Sequence, residues 1–256
     1  MNRLATLMLL ALLLAAAPAQ AEHPFASGEK LSYDLFWTFI RAGTATLETL
    51  PNSEAEGKKA LHFRALAKST PFVDTFYRVR DQIESWVDPE MTRALLYQKN
   101  QEEGDYVRNY VIRFNPQGTM AFRYSKGALK NSVLTQPGTF DPLSMLFFFR
   151  TKPLSVGYEF TAPVTDGDKA VAGKARVVRR ETITTPAGEF DTFLVEPEIK
   201  DIGGVFRKSP DATLQVWITN DARRLPVRVK SKVIVGSFSM ELTAYEGPPA
   251  NPQQNK

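Results

Sequence analysis

The 256-residue chain contains no cysteine and only two histidines. Without thiols there are no disulfides, no thiolate nucleophile and no thiolate metal site, so stability has to come from packing. His23 lies near the expected mature start and His62 sits on a strand, which leaves no second structured histidine to complete a metal site. A general base at His62 would need an orienting partner and a nucleophile within reach, and the sequence points to neither. Also missing are a Gly-x-Ser-x-Gly elbow, a phosphate-cradling Gly-Lys-Ser/Thr loop and a His-Glu-x-x-His helix. Asp166-Gly167-Asp168 lacks the alternating ligands and closing Glu of a calcium loop, and reads as a hairpin turn. No cofactor is expected.

Charge of one sign is lacking too. The 32 Lys and Arg are interspersed with 28 Asp and Glu, for a net charge of +4. A dispersed charge of this size serves solubility, and without a basic stripe or motif no nucleic-acid partner is expected. Long hydrophobic runs are absent after residue 21. The one run before it, Leu4 to Ala17, follows the polar and positive Asn2-Arg3 and leads into Pro18-Ala19-Gln20-Ala21. This is the pattern of a secretory signal over residues 1–21, cleaved after Ala21. A membrane span needs roughly 20 apolar residues, so the run is too short to cross. No cysteine stands at the cleavage point to carry a lipid, so a soluble protein of the periplasm, without a stable membrane anchor, is expected.

What the chain does contain is β signal. Leu31, Tyr33, Leu35 and Trp37 alternate with Ser32, Asp34 and Phe36, and similar alternation runs through Leu61–Ala67, Tyr106–Phe114, Leu214–Ile218 and Val227–Lys230. Turn residues separate these runs, among them Pro51-Asn52, Glu103-Gly104-Asp105, Asn115-Pro116-Gln117-Gly118, Ser125-Lys126-Gly127 and Pro186-Ala187-Gly188. The expectation is a mostly β protein: a long antiparallel meander of about a dozen strands, forming a curved open barrel or a sandwich. It occupies a single domain over 22–246, and the Pro-rich polar tail 247–256 is expected to be disordered.

Two segments break the alternation. Ser69 to Phe76 predicts a single helical turn capped by Ser69 or Thr70, with Pro71 in its first turn. Asp141 to Arg150 predicts the one substantial helix, short and apolar, with Asp141 as N-cap, Pro142 at the first position and Lys152-Pro153 as the stop. Six of the seven residues from Leu143 to Phe149 are apolar, so this helix must be buried, as a plug in a curved sheet, or must lie against a ligand. Phe147, Phe148 and Phe149 point in three directions, more than one core contact absorbs. Together with Trp37, Phe72 and Phe76 they are the candidates for lining an apolar pocket. Arg150 closes the helix, where it either favours the C-terminal dipole or presents a guanidinium to an anionic headgroup.

Four passages carry a resemblance. They are Gly28-Glu29-Lys30-Leu31-Ser32-Tyr33 leading to Ala42-Gly43-Thr44-Ala45, Asp141-Pro142-Leu143-Ser144 through Arg150, Thr185-Pro186-Ala187-Gly188-Glu189-Phe190, and Trp217-Ile218-Thr219-Asn220-Asp221 with Leu225-Pro226-Val227. In this order they resemble the exported bacterial family known as domain of unknown function 3108. The resemblance implies an exported, β-rich, single-domain protein and brings no catalytic residue with it. Local chemistry accounts for several of these positions. Gly28-Glu29 starts the first strand, Gly43 lets the next begin after a tight reversal, Asp221 caps a turn and Pro226 opens a terminal strand position.

The leading expectation is a non-enzymatic binding or carrier protein with an apolar concavity for a lipid-like or other hydrophobic ligand. It is similar in outline to the lipoprotein-carrier half-barrels, an analogy of architecture. The alternatives are an envelope scaffold or assembly factor that binds a protein or polysaccharide, and a hydrolase using scattered carboxylates.

Overall fold

The computed structural model describes residues 23–198, 212–233 and 236–247. The expected signal peptide, all but the first residue of the polar tail, and the cleavage point lie outside these residues. Fourteen strands form one antiparallel sheet: β1 (Lys30–Trp37), β2 (Ile40–Ala55), β3 (Lys58–Ser69), β4 (Val79–Val87), β5 (Ala94–Glu103), β6 (Tyr106–Phe114), β7 (Met120–Ser125), β8 (Ala128–Leu134), β9 (Glu159–Thr165), β10 (Ala170–Thr185), β11 (Gly188–Pro197), β12 (Thr213–Thr219), β13 (Pro226–Val233) and β14 (Gly236–Glu246). Each strand pairs with its neighbour in sequence. The one exception closes the middle, where β1 pairs with β14, so that β8 and β9 become the two edges.

Local chemistry sets the hairpins. Glu56-Gly57 and Lys126-Gly127 have positive φ at both turn positions, the backbone that matches the twist of a two-residue hairpin. Gly43 acts differently from the expected reversal. It lies inside β2, opposite Ser69, where a Cβ would stand 2.3 Å from the Lys68 carbonyl oxygen. Close approach of two backbones, and not a turn, requires glycine there.

The sheet curls until its edges nearly meet, without a ladder between them. Phe140 forms an isolated parallel bridge with Val164, Asn131 Nδ2 donates to the Gly167 carbonyl at 3.0 Å, and Arg108 and Arg123 both reach Asp168, at 2.6 and 2.7 Å. The result is an open barrel of one sheet.

Among the described residues two helices interrupt the meander. α1 (Pro71–Asp74) is the single turn after β3, N-capped by Thr70. α2 (Pro142–Arg150) lies between β8 and β9 and plugs the barrel. Its start is fixed by a capping box: the Asp141 carboxylate accepts from the Leu143 and Ser144 amides, both at 2.9 Å, while Ser144 Oγ accepts from the Asp141 amide. Ser85 Oγ on β4 donates to the same carboxylate at 2.5 Å, which pins the helix to the wall. Ser85 therefore marks the inner face, which its register partners Phe63 and Tyr97 share.

Phe147 is fully buried. It stacks on Phe63 with ring centres 3.7 Å apart and meets Phe25 edge-on at 5.1 Å. Phe149 enters a second cluster on the β9–β12 side, edge-on to Phe160 at 5.1 Å. The all-round apolar helix thus serves two cores at once.

Candidate functional site

Between α2 and the inner face of β9–β12 the second core is incomplete. A cleft of about 370 Å³ remains. Its floor is helical, formed by Met145, Leu146 and Phe149. The wall carries Phe160, Val195, Val216 and Ile218, and β10 contributes Val171, Ala172, Gly173, Lys174 and Ala175. Small side chains on that strand leave the space that the helix does not fill.

Among the described lining residues the charged ones are Asp166, Lys169, Lys174 and Glu198. Asp166 is committed to its turn, accepting from the Asp168 and Lys169 amides at 2.9 and 3.2 Å. Lys174 pairs with Glu198 at 3.5 Å. Lys169 completes the rim. Such a lining can hold an apolar chain and place a polar head beside the charged residues; among the described lining residues none forms a nucleophile with an acid–base partner. Among the described residues no group of three His, Asp or Glu side chains could hold a metal ion. His62 finds a partner in Glu84 at 3.0 Å and stacks on Trp86, away from the cleft lining.

The structure separates the seven candidate residues. Phe149 lines the cleft. Phe148 is half-buried behind it, stacked on Phe140 at 4.3 Å and capped by Lys152 Nζ at 3.4 Å from the ring centre. Phe147 belongs to the core. Arg150 is 1% exposed and its guanidinium binds Glu29 through two bonds, at 2.7 and 2.9 Å, and also the carbonyls of Pro24 and Arg223. Its terminal nitrogens are spent on the protein itself and its Nε is buried without a partner, so the side chain presents nothing to an anionic headgroup. Trp37, Phe72 and Phe76 stand exposed on the rim of the barrel, outside the cleft lining.

What the sequence reading missed is the β9–β12 wall. A signal was present: Val171, Gly173, Ala175 and Val177 alternate with Ala172, Lys174, Arg176 and Val178, a strand with one face of mostly small apolar residues.

Residues 32–243 match a family model described as Protein of unknown function (DUF3108). A comparison with curated protein sequences gives no match. Among solved structures, the chain is similar to the β-barrel-like protein of domain of unknown function DUF1849 from Brucella abortus. That similarity has a TM-score of 0.51 and 12% identity, over 86% of this chain and 98% of that one. A protein with a YmcC-like fold from Bacteroides fragilis aligns with a TM-score of 0.37 and 11% identity, over 88% and 98% of the two chains. The first likeness supports the β-barrel-like fold.

Proposed function

We propose that this chain, which belongs to the DUF3108 family, is an exported binding or carrier protein that holds a hydrophobic, lipid-like molecule in the α2 cleft. One observation carries the reading: the described lining of the cleft of about 370 Å³ is apolar except for the charged Asp166, Lys169, Lys174 and Glu198. Ligand sites of small molecules have this size and this distribution of polarity. The lining is more aliphatic than aromatic, which suits an extended acyl chain better than a planar ring system.

Export to the periplasm rests on the leader pattern of residues 1–21. The residues just after the expected cleavage are packed: His23 bonds the Pro89 carbonyl at 2.9 Å, and Phe25 is buried against Phe63 and Phe147. A chain starting at Glu22 keeps all of these contacts.

The test is native mass spectrometry of the protein purified from its own periplasm, with titration of a fluorescent fatty-acid probe. A co-purifying lipid, and probe binding that Ala175→Phe abolishes while Lys230→Ala does not, is the expected outcome. Probe binding equal in wild type and Ala175→Phe would refute the cleft as its site.

A further inference from the structure

In an antiparallel meander the connections after odd-numbered strands share one rim, and here that rim has an unusual surface. Every exposed aromatic side chain among the described residues lies on it. At the opposite end the large exposed hydrophobics are the isolated Leu134 and Val156. Scattered exposed apolar residues are ordinary, whereas a contiguous row of rings is not.

Strand register and backbone bonds place the members of the row side by side. Phe238 pairs in register with Trp37, which leads through the β1–β2 turn to Phe39, 85% exposed. The Thr70 amide donates to the Ala42 carbonyl at 2.9 Å, which sets α1 beside that hairpin and brings in Phe72 and Phe76, 5.7 Å apart. Tyr77 follows and covers Gly104 of the β5–β6 turn. The mouth of the cleft, at the β9–β10 turn and the end of β11, opens on the same rim.

We infer that this rim docks on the surface of a phospholipid bilayer, with the rings of Trp37, Phe39, Phe72 and Phe76 entering the headgroup–acyl boundary. The rings project from separate turns instead of lining a groove, the form that meets a fluid, laterally uniform surface. Aromatic side chains favour that boundary because their apolar bodies reach the acyl region while their edges stay hydrated. Charge fixes the kind of bilayer. Arg41 is paired with Asp34 at 2.5 Å and Arg80 with Asp74 at 2.6 Å, and exposed Lys68 and Arg78 are offset by Glu102 and Asp105. The cations beside the aromatic row are thus offset, Lys126 and Lys130 lying apart from it at the β7–β8 hairpin, so the row suits a zwitterionic surface, and burial of apolar area drives attachment.

The test is flotation of the processed protein, its N-terminus verified as Glu22, with phosphatidylcholine vesicles at low and high salt. Wild type should float at both. The triple variant Phe39→Ser, Phe72→Ser, Phe76→Ser should partition at least about tenfold less, through lost apolar burial, whereas Leu134→Ser should behave as wild type. Of the three tryptophans, exposed Trp37 should be quenched by bromine-labelled lipids in the wild-type protein while buried Trp217 is spared, so that part of the total emission is lost, a reading that needs no variant to fold. Ala175→Phe should float normally, so failure of the cleft and failure of the rim remain distinguishable. A wild type that stays in the soluble fraction, attachment that salt abolishes, or undiminished flotation of the triple variant would overturn the inference. So would a lipid-free dimer or a protein complex that the triple variant disperses.

Discussion

Arg150 and Glu29 stand 121 residues apart in sequence and form a two-pronged ion pair whose side chains are 0% and 1% exposed. The pair joins the end of α2 to the strand start before β1. Through the carbonyls of Pro24 and Arg223 it also ties in the N-terminal segment and the β12–β13 turn. The rings of Phe25 and Phe147 flank the guanidinium at 5.2 and 5.3 Å. A planar fork with five donors can satisfy a carboxylate and two carbonyls at once, which a lysine cannot. The pair therefore fixes the plug in the barrel. Its net contribution against an apolar replacement is small, since two charges had to be desolvated.

Breaking one side should be costly. Glu29→Ala leaves a buried guanidinium without its counter-charge, and chemical denaturation should show a loss of about 3–5 kcal/mol. Replacing both partners, as Glu29→Leu with Arg150→Met, should recover much of that loss. A double variant no more stable than Glu29→Ala would contradict this account.

The helix phenylalanines should divide by position. Phe147→Ala opens a cavity in the main core and should cost about 3–5 kcal/mol, without changing affinity for a fatty-acid probe. Phe149 is packed on Phe160 on one side and borders existing space on the other. Its replacement by Ala should cost less than that of Phe147 and should weaken probe binding. Thermal melts paired with probe titrations on the two variants separate these effects.

This division shows how far the sequence could be read. Asp141-Pro142 and the apolar run to Arg150 announce the helix and its cap because capping is local, and period-two alternation with turn residues announces a meander for the same reason. Glu29 stood in a motif and looked like the start of a strand; nothing within its own segment reveals a partner 121 residues away. The cleft was hidden for another reason. It is made of what β10 lacks, the bulk at Gly173 and Ala175, and an absence of side chain carries meaning only once the facing helix is in place. The aromatics stand out by type, but a sequence does not say which rings a barrel keeps inside and which its turns carry to the rim.

Stability should fall as pH rises through the titration of Asp81. Partial burial, and then the neighbouring Glu103 carboxylate, raise this carboxyl from its ordinary 3.8 to about 6, against the opposing Glu102 amide and Lys99. The folded state binds the proton more tightly than the unfolded one, so the favourable contribution is full below about 3.8 and is lost as pH passes about 6. Asp81→Asn removes the dependence. After allowance for solvent screening it should be more stable than wild type by about 1 kcal/mol at neutral pH, with the difference vanishing near pH 4. Calorimetric melts across that range, showing a constant difference, would refute the assignment.

Asp74 should act in the opposite direction. Bonds from Arg80 and Ser69 hold its carboxyl at about 2, so its contribution to the α1 junction is present above about 3.8 and is lost as pH falls toward 2. Because α1 carries Phe72 and leads directly into Phe76, Asp74→Asn should loosen the rim more than the barrel. Hydrogen exchange should quicken at the amides of Asp74 to Tyr77, which close onto the α1 turn, while those of β1 and β14 stay protected.

Asp141 links the helix cap to the cleft. It is fully buried, and desolvation raises its carboxyl above the ordinary value despite the bonds from Ser85, Ser144 and the Leu143 amide. Removing the acceptor strands several buried donors at one point: two helix amides and the Ser85 hydroxyl. Asp141→Ala should therefore cost more than the roughly 1 kcal/mol of an exposed cap, about 2–4 kcal/mol in all. Asp141→Asn, which keeps one acceptor oxygen, should cost less. Both changes act on the helix that forms the cleft floor through Met145, Leu146 and Phe149. Loss of the cap should thus reduce probe affinity under conditions where the barrel stays folded, whereas a destabilising change in a distant wall, such as Ala60→Gly at the β2–β3 hairpin, should lower stability and leave affinity intact. If the two variants, compared at matched fractions folded, bind the probe equally, the helix does not set the shape of the cleft.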